Sequence, residues 1–264
     1  MVARCVWIGL VALVLSLTGC LDYKEELTLK ADGSGSLNLD FTIDLGYLEK
    51  VSKALGEAPN EEDFAGPTEE EIREGLEVEG ITIKEIKLET KGRKTRVQIN
   101  LDFANLEALN EIEGFGDDRR ILFYDEGNGM VRVVYSFDTT DAIPADELDD
   151  EAPSDDPIET KIREITKEAR AAMRFRARVV LPGAVKKSNG RRDAEDPNAS
   201  LWLIDSEHTP DKHKKLGRGK IRMMALVSRE SLPFVKELRP LPTSATEDGE
   251  GDEEAPAPGG ERKR

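Results

Sequence analysis

The stretch YKEELTLKADGSGSLNLDFTID, residues 23–44, decides the fold of the chain. Leucines and a phenylalanine occur at every second position on both sides of a short Asp-Gly-Ser-Gly segment. This alternation is the period of a strand with one buried face, and Asp-Gly and Ser-Gly supply the positive φ that tight turns need. The stretch therefore predicts two antiparallel strands, Tyr23–Lys30 and Ser36–Asp44, joined by residues 31–35.

The same hairpin pattern recurs twice further along the chain. Alternating runs flank a Gly-containing turn at Ile81–Thr90 with Lys94–Phe103, and again at Arg120–Tyr124 with Met130–Phe137. Three more strand-like runs are Met173–Leu181, Ser200–Ile204 and Lys220–Val227. Apolar spacing and capping residues predict helices at Leu45–Leu55, after Thr68, at Leu106–Ile112, after Pro157 and at Ser231–Leu238. The sum predicts an α+β protein built from antiparallel β-hairpins with intervening amphipathic helices.

A 13-residue apolar run, Cys5–Leu17, lies upstream of the first strand. Its length suits the apolar region of a secretion signal and is short for a membrane span. It ends in Leu17-Thr18-Gly19-Cys20, which resembles the lipobox of bacterial lipoproteins: a branched residue, two small residues and a cysteine. The pattern predicts a signal peptide at residues 1–19, cut before Cys20, whose thiol then carries palmitate-type acyl chains. An ordinary secretory signal with a chance cysteine is the alternative.

Composition divides the remainder of the chain. We predict an acidic α+β domain at residues 20–142, anchored at Cys20, followed by an acidic linker or loop at residues 143–156. Residues 157–240 form a basic segment of one helix and several strands, which either completes the same fold or stands apart from it. Residues 241–264 are rich in Pro, Gly, Glu and Asp without an apolar pattern, so they predict a disordered acidic tail.

Charge is segregated along the chain. The 264 residues carry a net charge of −16, but residues 21–156 hold −22 and residues 157–240 hold +9. Arg174, Arg176 and Arg178 alternate along a predicted strand and therefore share one of its faces. Together with Lys186 and Lys187, they are candidate contacts for an anionic surface, either lipid headgroups or an acidic envelope protein. The alternative is that these cations pair with the chain's own acidic residues or form a solvated face.

The sequence offers no residue combination typical of an enzyme, a metal site or a cofactor site. His208 and His213 lie five residues apart in a Lys-rich stretch without cysteine, which predicts a solvated loop. The segment Asp32–Ser36 lacks the alternating acids of a calcium loop. A nucleophile elbow, a phosphate loop and a Cys–His pair are missing from the sequence, so we predict neither catalytic residues nor metal nor cofactor. Nucleic acid is not expected as a partner, because the basic runs lack aromatic residues for stacking on bases.

Two stretches resemble the mycobacterial LppM-type lipoproteins and related envelope lipoproteins. One is Gly19-Cys20 followed by LTLKADGSGS at residues 27–36, and the other is LPGAV at residues 181–185 followed by Asn189-Gly190 and Leu201-Trp202. The resemblance covers about a third of the chain, and a charged insert, Arg191–Asn198, separates the Asn-Gly pair from the tryptophan strand. It implies an envelope role with lipid or glycolipid contact and brings no defined catalytic activity.

The sequence therefore predicts a lipid-anchored, non-catalytic protein of the bacterial cell envelope that binds or scaffolds other proteins. Its place is the cell membrane or the outer membrane, facing the periplasm or the exterior. A lipid- or glycolipid-binding module is the main alternative. A hydrolase is a third hypothesis, which no motif in the sequence supports. A groove lined by Leu, Ile and Phe with arginines at its mouth would favour lipid binding, whereas a filled core under a flat charged face would favour protein binding.

Overall fold

The computed structural model describes residues 22–56, 66–112, 119–138, 156–214 and 220–241. The predicted signal segment, Cys20, nearly all of the predicted linker at 143–156 and nearly all of the tail at 241–264 lie outside these residues. The predicted α+β class is confirmed, because the described residues form two mostly antiparallel sheets together with several helices.

Twelve strands and five α-helices occur in the described part of the chain. The strands are β1 Asp22–Leu29, β2 Gly35–Asp44, β3 Ile81–Lys91, β4 Lys94–Phe103, β5 Arg119–Gly127, β6 Met130–Asp138, β7 Arg174–Val180, β8 Lys187–Ser188, β9 Arg191–Arg192, β10 Ala199–Asp205, β11 Lys220–Ser228 and β12 Arg239–Pro240. The helices are α1 Gly46–Ala54, α2 Glu69–Leu76, α3 Leu106–Asn110, α4 Pro157–Ala171 and α5 Pro210–Lys214. The three predicted hairpins are β1–β2, β3–β4 and β5–β6.

The strands form two sheets. Sheet A has the order β3-β4-β2-β1-β7-β10-β9, and sheet B has the order β12-β5-β6-β11-β8. Neighbours are antiparallel except for β1 with β7 and β12 with β5. Because β7 pairs with β1 and β11 pairs with β6, the stretches 20–142 and 157–240 both contribute strands to each sheet.

The two sheets form a sandwich, because apolar side chains of both belong to one core. On sheet A, the Tyr23 ring stacks on the Phe175 ring at 5.3 Å between centroids, and Phe137 of sheet B meets Phe175 edge-on at 5.2 Å. A single carboxylate, Glu25, lies within this aromatic group and is buried. It accepts hydrogen bonds from the Tyr23 hydroxyl at 2.6 Å and from the Tyr135 hydroxyl, so both sheets supply its donors.

The helices follow their sequence signals. The predicted capping box at the start of α2 is confirmed, because the Glu71 N–H donates to the Thr68 hydroxyl and the Thr68 N–H donates to the Glu71 carboxylate.

Helices α1 and α4 pack against each other and bury Tyr47, Ile165 and Ala169 in a cluster separate from the sandwich core. No helix among the described residues has both the length and the apolar character needed to cross a bilayer.

The predicted helix at Ser231–Leu238 is wrong. A 3₁₀ turn covers Arg229–Ser231, and no helix follows it up to residue 241. The spacing of Leu232 and Val235 resembles a helical face, but both side chains are instead seated in the sandwich core by an irregular segment. Tertiary packing overrides a weak local signal here.

Candidate interaction face on sheet A

The three arginines of β7 share one face of sheet A, as the alternation predicted. Their strand has alternating exposed and buried positions, and Phe175, Ala177 and Val179 fill the buried ones. Across the parallel pair, Lys24 lies beside Arg176 and Glu26 lies beside Arg178. We call this surface the outer face: the solvent-facing side chains of β2, β4, β1, β7 and β10.

Arg178 is bound by the chain's own carboxylates. Its guanidinium donates to Glu26 at 3.0 Å, to Asp193 at 3.1 Å and to Asp196 at 3.1 Å. Burial acts to lower the pKa of Arg178, but the hydrogen bond to Asp193 and the charges of Glu26, Asp193 and Asp196 raise it above its ordinary value. For this arginine the structure favours pairing within the chain, and the charged insert 191–198 supplies two of the partners.

Arg174 and Arg176 have fewer contacts with the chain's own carboxylates than Arg178 has. Arg176 lies 3.6 Å from Asp22, with 44% of its side chain exposed. Arg174 is exposed and forms no ion pair with the residues that the structure describes. Leu203 of β10 stands directly across from Arg176 and is 38% exposed, which is high for a leucine on a sheet. These three side chains form a small mixed patch of two cations and one apolar group, and Asp22 lies at its edge, opposite Arg174.

The other half of the outer face is organised by Arg96. Its Nε and Nη2 atoms donate to the two carboxylate oxygens of Asp40 at 2.8 and 2.7 Å, a bidentate pair. Lys24 Nζ lies 3.9 Å from Asp40. A shallow depression of about 290 Å³ beside this pair is lined largely by polar residues of β1, β2, β3 and β4. The outer face is therefore charged and open.

Replacing Arg96 with methionine is expected to raise the pKa of Asp40. The hydrogen bond from Arg96 is the main cause that holds this pKa below its ordinary value, against burial, and the charges of Arg96 and Lys24 add to it. A depressed carboxyl pKa contributes stability above the unfolded pKa of about 3.9, and that stability is lost as pH falls through the folded pKa. Carbon-detected NMR titration of Asp40, with acid unfolding of both proteins, would measure the change.

The matched control for this titration is Arg73→Met, since Arg73 pairs with Glu69 on the exposed surface of α2. That change should leave the Asp40 titration where it is in the wild-type chain. An Asp40 pKa unaffected by Arg96→Met would mean that the bidentate pair does not exist in solution.

The two predicted lysine contacts lie on the other sheet. Lys187 pairs with Leu226 of β11 at the edge of sheet B, and the Lys186 N–H donates to the Leu226 carbonyl at 2.8 Å. The structure therefore does not bring Lys186 and Lys187 onto the outer face with the arginines. The short turn between β8 and β9 connects the two sheets at this edge.

Sequence reasoning missed the residue that holds this turn, Asn189. Its side-chain oxygen accepts hydrogen bonds from Trp202 Nε1 on β10 and from the Met224 N–H on β11, both at 2.8 Å. Its amide nitrogen donates to the Arg222 carbonyl at 2.9 Å. The Asn189-Gly190 pair predicts a turn, but the link that Asn189 makes between two sheets depends on strand pairings that are distant in sequence.

The prediction of a solvated loop for both histidines is wrong for His213. Residues Pro210–Lys214 form α5, and His213 is buried, with Nε2 3.2 Å from the Met173 carbonyl oxygen. His208 has 60% of its side chain exposed and lies 2.9 Å from Asp205. Among the described residues, no group of three or more His, Cys, Asp or Glu is arranged to hold a metal ion.

Comparison with known proteins finds a likeness in structure and none in sequence. No family model matches the chain, and no curated protein matches its sequence. Among solved structures, the folded domain of the Mycobacterium tuberculosis protein LppM, determined by NMR, is similar with a TM-score of 0.42 and 12% identity. The similarity covers 80% of this chain and 91% of the LppM domain.

Proposed function

We propose that the chain is a lipid-anchored, non-catalytic protein of the bacterial cell envelope that binds a partner protein through the outer face. In this proposal the signal segment 1–19 is removed and Cys20 carries the anchor, as the lipobox-like Leu17-Thr18-Gly19-Cys20 indicates. The anchor holds the sandwich at the cell membrane or the outer membrane, facing the periplasm or the exterior.

The observation that carries the proposal is the mixed patch on the outer face. Protein interfaces are enriched in arginine, and Arg174 and Arg176 lie beside the exposed Leu203 on one strand pair. The depression on this face is open and lined largely by polar and charged residues, whereas small-molecule sites are mostly apolar and enclose their ligand. An acidic partner surface would complement the two arginines.

The test places a photo-crosslinking amino acid at position 203 of the full chain in its native host. We expect one defined crosslinked adduct in the membrane fraction, because Leu203 lies at the centre of the patch. The double charge reversal Arg174→Glu with Arg176→Glu should reduce the adduct about ten-fold or more, since it places like charges opposite an acidic partner.

The matched control carries the crosslinker at Arg120, an exposed position on β5 of sheet B. Equal adducts from positions 203 and 120, or an adduct that survives the charge reversal, would contradict binding through the outer face. A labelled fatty acid fed to the same cells reports the anchor separately. Incorporation that persists in Cys20→Ser would contradict lipidation at Cys20.

A further inference from the structure

The start of β1 defines which end of the sandwich lies nearest the proposed anchor. Asp22 lies two positions after Cys20 in the chain, and two residue steps span at most about 7 Å. Asp22 aligns across sheet A with Thr42 near the end of β2 and with Arg174 at the start of β7. We call this row of residues the anchor end of sheet A.

Two helices leave the sandwich at the anchor end. Helix α1 begins two residues after β2 ends, and α4 ends three residues before β7 begins. The two helices run antiparallel, because Tyr47 near the start of α1 packs with Ala169 near the end of α4. Lys50 Nζ contacts the Glu168 carboxylate at 3.0 Å in the same half of the pair. Their apolar cluster is separate from the sandwich core, so the helix pair forms a projection of its own.

The free tip of this helix pair exposes large apolar side chains. Leu55 follows the last residue of α1 and is 49% exposed, and Ile158 lies in the first turn of α4 and is 47% exposed. They are the two most exposed large apolar side chains among the described residues. The antiparallel arrangement places both at the same end of the pair.

A basic groove runs between the same two helices. It has a volume of about 270 Å³ and is lined by Lys50, Lys53, Ala54, Lys161, Ile165 and Glu168. Three lysines against one glutamate give the groove a positive balance. Lys50 is engaged by Glu168 and Lys53 by Glu49, while Lys161 forms no ion pair with a described residue. Exposed apolar side chains beside lysines are typical of helices that lie in a membrane interface.

We propose that the α1–α4 helix pair rests on the anchoring membrane, with Leu55 and Ile158 at the headgroup–acyl boundary and the lysine groove on anionic phospholipid headgroups. The proposal rests on lipidation at Cys20, since the anchor is what places this end of sheet A at a bilayer. It gives the sandwich a fixed orientation, with the opposite end of sheet A and its β1–β2 turn directed away from the membrane.

The test uses the full chain, produced in a bacterial host and reconstituted into vesicles of phosphatidylcholine and phosphatidylglycerol. Three variants, Leu55→Cys, Ile158→Cys and the control Glu79→Cys, each receive a polarity-sensitive thiol fluorophore. Glu79 is exposed and precedes β3 at the opposite end of sheet A. We expect blue-shifted emission and about two-fold quenching by brominated lipids at positions 55 and 158, and neither effect at position 79.

The labelling itself separates failure of the anchor from failure of the docking surface. Once Cys5 is removed with the signal and Cys20 is acylated, the wild-type chain has no free thiol and takes up no fluorophore. Label in the wild-type chain would therefore refute the anchor. Emission at positions 55 and 158 equal to that at position 79 would refute the docking surface, and so would a shift that depends on protein concentration, because the occupant would then be a second copy.

The lysine groove has its own comparison. Quenching at position 158 should fall in vesicles of phosphatidylcholine alone and in the Lys161→Glu variant with phosphatidylglycerol present, because both remove the attraction to the headgroups. Equal quenching under all three conditions would overturn the role of the lysines. Lys161 is an exposed surface residue, so this variant is expected to fold.

Discussion

Replacing Trp202 with alanine is expected to lower the free energy of unfolding by about 3–5 kcal/mol. Trp202 is 7% exposed and belongs to the sandwich core. Its indole Nε1 donates to Asn189, whose oxygen also accepts the Met224 N–H of sheet B. Truncation leaves a cavity over Gly190 and removes one of the two donors that hold Asn189 between the sheets. The loss should therefore lie in the upper part of that range.

Urea unfolding followed by circular dichroism would measure the loss. Two milder changes serve as comparisons. Trp202→Phe keeps an aromatic ring but loses the N–H, so about 1–2 kcal/mol is expected. Leu203→Ala on the adjacent, half-exposed position should cost well under the tryptophan change, within about 1 kcal/mol. A loss for Trp202→Ala no larger than that for Leu203→Ala would show that the indole does not join the sheets.

This result bears on the outer face, because the chain between Trp202 and Asn189 supplies partners for Arg178. Asp193 and Asp196 lie in the segment between β9 and β10 and both contact the Arg178 guanidinium. If Trp202 anchors that segment, its loss should loosen the acidic residues around Arg178 and increase the exposure of a third arginine. Crosslinking from position 203 would then give several adducts in place of one.

The sequence alone predicts the local parts of this fold well. Alternating apolar residues and Gly-containing turns identify all three hairpins, and the Thr68–Glu71 pair identifies the start of α2. These signals work because a hairpin and a capped helix are determined by residues within about ten positions of each other. The error at Ser231–Leu238 arises where two core contacts happen to share helical spacing.

Local sequence patterns do not predict which strands of different hairpins pair with each other. The parallel contact of β1 with β7 joins residues about 150 positions apart, and so does the Arg178–Glu26 ion pair. Nothing periodic in the sequence relates such positions. The arginine face could be predicted from alternation within one strand, but whether each arginine is already paired depends on these distant partners. The same limit explains His213, which is buried through contact with Met173, 40 residues earlier.

Gly35→Ala is expected to destabilise the protein by about 3 kcal/mol, the upper part of the range for overpacking. A Cβ at position 35 would lie 2.0 Å from the Thr28 carbonyl oxygen and 2.3 Å from the Phe103 ring. The oxygen belongs to the β1 backbone and cannot move away without breaking the β1–β2 pairing, in which Thr28 lies opposite Ser36. Phe103 is buried, so its ring has little room to move.

Gly75→Ala is the matched control, and it should change stability in the opposite direction. Gly75 lies in α2, and an added Cβ there meets no atom within 4 Å. Alanine is the better helix former, so a gain of about 0.5–1 kcal/mol is expected. Thermal unfolding of both variants would decide the matter, and a destabilisation shared by the two would refute steric crowding at Gly35. A loss of stability in Gly35→Ala with a gain in Gly75→Ala would mean that position 35 needs glycine for packing between strands. Ligand binding would then not be needed to explain this glycine.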